Sequence, residues 1–284
     1  VGPKRCDDQL ICSETCGIWG DRESVYYGPF LVSLSQQRNN PLNYGMTQEV
    51  TFGERSEVRD YTLEVCTASM RSVQAAVAEG AKRIELCSAL SVGGLTPSLG
   101  LLREVRALYP ELRIHVLIRP REGDFVYSEE ELRVMERDIE VALPYADAIV
   151  SGAMTPAGTV DVVATRRLLE RSQGVSFTFH RAFDQSQNPL EAMETIGALG
   201  CTRILTSGTR DTAEAGIPII RQLIERAAGA IMILPGGGVT ASNIRRILTE
   251  TGAREIHGSA SLRLPDGRQE TSADIVRDFL KAIH

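Results

Sequence analysis

Thr178-Phe-His-Arg-Ala-Phe-Asp184 is the stretch on which the fold turns. Side chains alternate along a strand with a period of two, so Ser176, Thr178 and His180 share one face and Phe177 and Phe179 the other. The greasy face suits packing on helices. The polar face, running into His180, Arg181 and Asp184, suits the lining of a cavity. In a parallel β/α barrel such strand ends, at the carboxyl side, are where chemistry is done.

Working outward, the same unit recurs. Strands are predicted at 61–66, 83–87, 113–119, 148–151, 176–180, 203–207, 230–234 and 255–259. Helices follow at 69–79, 98–108, 128–143, 160–171, 189–199, 218–227, 242–249 and 272–282. Ser69 is a candidate cap for the first, and Ser128-Glu-Glu-Glu131 is a capping box for the third. Strands alternating with helices imply right-handed crossovers and a parallel sheet. Eight unbroken units predict an α/β fold of the (β/α)8 TIM barrel type, with eight parallel strands, over 59–284. No Gly-x-Gly-x-x-Gly follows the first strand, which argues against a Rossmann-type sheet.

Residues 1–58 read differently. Cys6, Cys12, Cys16 and Trp19 lie among polar residues, ahead of the loop-like Gln36-Gln-Arg-Asn-Asn-Pro41. The cysteine spacing is not that of a zinc knuckle, and no histidine is near. The expectation is a poorly ordered extension, or translated upstream sequence; the first methionine is Met46.

The bulk composition narrows the function. The 284 residues are 43% apolar and 24% charged, with a net charge of -6, which gives no footprint for nucleic acid or an anionic membrane. No apolar run approaches the ~20 residues of a membrane span, and no secretory signal opens the chain. Six cysteines are too few for a disulfide scaffold, so a cytoplasmic setting is expected.

Period two sorts the polar strand residues into an inward set. Glu64 and Cys66 share a face of strand one, Glu85 and Cys87 of strand two, and His115, Leu117 and Arg119 of strand three. His180 ends strand five, while His257 and Ser259 share a face of strand eight. Loops add Arg121, Asp124, Arg181 and Asp184. So many ionisable groups inside a barrel imply either satisfied ion pairs, such as a glutamate with Arg119, or a working cavity. An enzyme built on them would use Glu64 or Glu85 as general base and His180 as acid, oriented by Asp184.

The glycine loop Leu234-Pro-Gly-Gly-Gly-Val-Thr240 and the segment after strand eight form a candidate anion site, using Gly236, Gly237, Gly238 and Ser259. Its ligand would be a phosphorylated or carboxylated small molecule held with help from Arg119. The lysines argue against a Schiff-base aldolase: there are only Lys4, Lys82 and Lys281, with Lys82 before the second strand and Lys281 in the last helix. No organic cofactor is implied. Cys66 and Cys87 occupy matching places on neighbouring strands about 4.8 Å apart. They could grip one soft ion, near-linear Cu(I) rather than tetrahedral zinc, or form a disulfide, or be two small buried hydrophobes.

Taken together, Leu63-Glu-Val-Cys66, Arg83-Ile-Glu-Leu-Cys87, Ile118-Arg-Pro-Arg-x-Gly-Asp-Phe125 and Thr178-Phe-His-Arg-Ala-Phe-Asp184 resemble the CutC copper homeostasis family. Leu205-Thr-Ser-Gly208 and Pro235-Gly-Gly-Gly238 extend the likeness. It runs from about Leu63 to at least Ser261, and the first 60 residues lie outside it. The resemblance implies a cytoplasmic barrel, often homo-oligomeric, with a role in copper tolerance. It also implies Cu(I) ligation by cysteines at the ends of the first two strands, here Cys66 and Cys87. The other reading is a barrel enzyme of lyase, isomerase or hydrolase type, catalysed by Glu64, Glu85, Arg119, Asp124, His180, Asp184 and His257.

Overall fold

A computed structural model describes residues 60–284, and the expectations for the cysteine-bearing extension lie outside the described residues. Eight parallel strands form one sheet: β1 (Thr62–Thr67), β2 (Arg83–Leu86), β3 (Arg113–Leu117), β4 (Ala148–Ser151), β5 (Ser176–Phe179), β6 (Arg203–Thr206), β7 (Met232–Pro235) and β8 (Glu255–Gly258). Each neighbour in sequence is a neighbour in space up to β7, and β8 pairs with β1. A single parallel bridge from Gly236 to His257 joins the seam between β7 and β8. The predicted TIM barrel is therefore the fold, and each predicted strand falls within one or two residues of an observed one.

The helices α1 (Met70–Ala78), α2 (Leu99–Leu108), α3 (Glu129–Ala142), α4 (Val162–Arg171), α5 (Pro189–Leu199), α6 (Ile217–Ala227), α7 (Ile244–Thr251) and α8 (Ala273–Ile283) follow the strands in turn. Their starts are set by local chemistry. The side chains of Ser69, Ser98, Ser128, Asp161 and Asn188 each accept from a backbone N–H of the first turn, satisfying donors that the helix itself cannot pair. Ser128 and Glu131 complete the capping box in both directions.

Short elements were not predicted, among them 3-10 turns at Leu90–Val92 and Arg181–Gln185. Between β8 and α8 the chain makes a short antiparallel hairpin of β9 (Ser261–Arg263) and β10 (Gln269–Thr271). Its Glu270 accepts hydrogen bonds from Ser69 at 2.5 Å and Ser72 at 2.6 Å, tying the hairpin to the start of α1. Strands of three residues carry too little alternation to be read from sequence.

Alternation divides the core in two. Val65, Ile84, Ile114, Val116, Ile149, Phe177, Phe179, Ile204, Ile233 and Ile256 point outward and join the helices in the main apolar cluster. Inside the barrel, a small separate cluster holds Cys66, Cys87, Leu117 and Val150. Among the described residues, no helix is long and apolar enough to cross a membrane.

Candidate functional site

The barrel interior is charged at its waist. In register, Glu64 of β1 sits beside Arg83 of β2 and beside His257 of β8. Its carboxylate is held by Arg83 at 2.9 Å, His115 Nδ1 at 2.6 Å and His257 Nδ1 at 2.9 Å. Arg83 also reaches Glu255 at 2.8 Å, and Glu255 accepts from Arg203 at 2.7 Å. Burial alone would push Glu64 up, but His115, His257 and Arg83 hold it well below the usual carboxylate range. Glu64 does not line the cavity above, so it is not placed to act as a base on a ligand there.

Toward the carboxyl ends lies a cavity of about 250 Å³. Cys66, Glu85, Leu117 and His257 contribute from β1, β2, β3 and β8, and Arg119, Phe125, His180, Arg181, Gly237, Gly238 and Ser259 from the strand ends and loops. Strand stagger decides what meets what. The register partner of Cys66 is Glu85 rather than Cys87, which lies two residues further along β2. The thiols are therefore diagonal neighbours, with sulfurs 3.7 Å apart, and the Cys66 sulfur is 3.5 Å from Glu85 Oε1.

Among the described residues, one group of three or more His, Cys, Asp and Glu side chains could hold a metal ion: Cys66, Glu85 and His257, with ligand atoms within 4.8 Å of one another. Because Glu64 occupies His257 Nδ1, the ring atom left for a ligand is Nε2. The hydrogen bond with Cys87, burial and the nearby Glu85 push the Cys66 thiol well up. Burial raises Glu85 too, against the pull of His257, and its Oε2 finds no partner. For His257 burial opposes charge, but Glu85, Cys66 and Glu64 outweigh it and raise its pKa well above the usual value.

The remaining predicted residues take several places. His180 is 4% exposed, accepts from the Ala182 N–H at Nδ1 (3.3 Å) and leaves Nε2 without a partner. Asp184 does not orient it. That carboxylate instead ion-pairs with Arg181 and accepts from Thr206 Oγ1 and the backbone N–H groups of Ser207 and Thr209. Arg119 lines the cavity, but it donates to the carbonyls of Val92, Gly94 and Gly123 and so pins the loops after β2 and β3. Among the described residues no carboxylate pairs with it: the expected partnership with Glu64 or Glu85 is replaced by loop carbonyls.

Asp124 lies outside the cavity, 62% exposed and paired with Arg121 at 2.9 Å. Gly237 and Gly238 line the cavity, while Gly236 packs against Leu205 and His257, where an added β-carbon would come within 2.6 Å of Leu205 Cδ1 and 3.1 Å of His257 Cβ.

Sequence reasoning passed over Arg83, Arg203 and Glu255, which complete the waist. A signal existed for Arg83, two residues before Glu85 and so on the same face.

Residues 61–262 match the CutC family. The chain is 47% identical over 213 residues to a CutC family protein of Bacteroides fragilis, covering 75% of this chain and 85% of that one. It is 45% identical over 209 residues to the human copper homeostasis protein cutC homolog, covering 73% and 76% of the two chains. The crystal structure of a Streptococcus agalactiae copper homeostasis protein CutC superimposes with a TM-score of 0.67 at 37% identity, covering 70% of this chain and 98% of that one. With the match spanning the barrel strands and both cavity thiols, the chain belongs to the CutC family.

Proposed function

We propose that this protein handles Cu(I) as cargo, gripping it at the floor of the barrel cavity through Cys66 and Cys87. The observation that carries this reading is the pair of buried sulfurs 3.7 Å apart, of which Cys66 lines the cavity and Cys87 lies fully buried behind it. Thiolates are the ligands that select soft Cu(I). The spacing modifies the near-linear expectation. With metal–sulfur bonds of about 2.3 Å, sulfurs on opposite sides of one ion would stand roughly 4.6 Å apart. Sulfurs this close favour a bent site with a third donor. The groups clustered with the Cys66 sulfur that could serve are Glu85 and His257, of which the imidazole suits Cu(I) better.

Glu64 then has a supporting role. A carboxylate on Nδ1 fixes the imidazole tautomer and leaves the Nε2 lone pair for the ion. Since burial and neighbours hold protons on Cys66 and His257, ion uptake must release protons, and affinity rises with pH. Among the described residues Cys66, Cys87 and Cys201 are free thiols, which supports a reducing, cytoplasmic setting.

The test is Cu(I) titration of the reduced protein against a competing chelator. Cys66→Ser and Cys87→Ser should each abolish one-to-one uptake. His257→Gln should weaken it by about 10–100-fold, and His180→Ala should leave it intact. Wild-type affinity in the double cysteine variant would overturn the reading.

A further inference from the structure

The mouth of the cavity carries a second set of open valences that the copper reading does not use. Gly236 and His257 are bridged, so the loop of Gly237, Gly238 and Val239 runs beside Gly258 and Ser259. The bridge turns the Gly237 N–H toward the His257 carbonyl, while the backbone N–H groups of Gly238, Val239 and Ser259 find no acceptor among the described residues. Gly237 and Gly238 take φ of +103° and +66°, a left-handed backbone that glycine adopts without strain and that lets the main chain approach a ligand closely.

Arg181 lies against this loop. A β-carbon on Gly237 would come within 3.2 Å of its guanidinium. Asp184 holds Arg181 Nε at 2.8 Å and Ser207 holds Nη2 at 3.0 Å, which leaves Nη1 without a hydrogen bond among the described residues. The guanidinium is thus oriented before any ligand arrives. Deeper in the same cavity, the buried His180 also lacks a partner: with Nδ1 accepting from Ala182, Nε2 bears the hydrogen. An unmatched buried donor is costly unless a ligand or water completes it.

We propose that this mouth is a binding site for the phosphate group of a small phosphate monoester, whose organic part enters the cavity toward His180. The donor count favours phosphate over carboxylate. Three N–H groups and the two hydrogens of Nη1 exceed the roughly four lone-pair sites of a carboxylate but suit the three oxygens of a phosphate. The cavity, about 250 Å³, lies below the ~300–1,000 Å³ of most small-molecule sites, so the ligand has only a few carbons. The site stands apart from the copper reading and does not depend on it.

The full chain is titrated with inorganic phosphate and separately with glycerol phosphate, read by thermal unfolding and phosphorus NMR. Arg181→Met and Ser259→Ala are measured alongside. The expected result is saturable binding of one molecule of each probe per chain, weakened roughly tenfold in Arg181→Met, with Cu(I) uptake unchanged. A flat titration to about 10 mM of both probes overturns the proposal. So does wild-type binding by Arg181→Met, or uptake of inorganic phosphate while glycerol phosphate is excluded. If Arg181→Met fails to fold once Asp184 loses its partner, the wild-type titration decides the matter, and Ser259→Ala, which keeps its backbone N–H, should bind both probes as wild type does.

Discussion

The charged waist of the barrel and the cavity layer just above it are made of the same residue types, but only at the waist does each buried charge stand against an opposite one. At the waist, Glu64 meets Arg83, His115 and His257, and Glu255 meets Arg83 and Arg203. One level up, Glu85 keeps an oxygen without a partner, His180 keeps a nitrogen, and Cys66 has only weak sulfur contacts. Buried charges that pair fully hold a structure together and are costly to break. Buried groups left open have no structural reason to be polar, and that is the mark of a site. Residue type therefore does not separate scaffold from site; the pairing of charge with charge does.

The largest effect should come from the waist. Glu64→Gln leaves Arg83 and two imidazoles without their shared carboxylate, and should cost about 3–5 kcal/mol in urea unfolding. Glu85→Gln, one level up, replaces a carboxyl whose burial favours its neutral form, and should change stability by no more than about 1 kcal/mol. Equal losses in the two variants would break the distinction.

A smaller, pH-dependent effect belongs to His180. Burial, with Arg119 nearby, pulls its pKa down from 6.5 to about 3. The folded protein refuses a proton that the unfolded chain accepts, so the contribution is complete above about pH 6.5 and is lost as the pH falls toward 3. His257 carries the opposite sign, because its pKa is raised, but it is common to both proteins in a comparison with His180→Gln. Between about pH 7 and about pH 5.5 wild type should lose roughly 1 kcal/mol relative to that variant. Parallel pH profiles would show that His180 is not held neutral.

The smallest effect belongs to Asp124. It forms an exposed pair with Arg121 outside the cavity, so Asp124→Asn should shift stability by less than about 0.5 kcal/mol and leave Cu(I) uptake unchanged. A large loss of uptake would return Asp124 to the site.

Much of the architecture was legible because it is local. The capping box at Ser128, the Pro189 start of α5 and the alternation of Phe177 and Phe179 against Thr178 are set by residues a few positions apart. The hairpin of β9 and β10 was not, since its strands are short and Glu270 finds its partners about 200 residues away in Ser69 and Ser72. Asp184 shows the same limit. It stands four residues after His180, yet its carboxylate turns to the end of β6 and the loop that follows.

By itself the sequence determined eight β/α units, which polar side chains face inward, and the two thiols on β1 and β2, because period and turn chemistry act over a few residues. Only the tertiary structure decided which inward groups are spent and which are open. The stagger of parallel strands sets Cys66 against Glu85 and Glu64 between Arg83 and His257. Closure of the barrel brings the ends of β7 and β8 together at Gly236 and His257. Those meetings depend on strand register and shear around the whole barrel, quantities that no short stretch of chain contains.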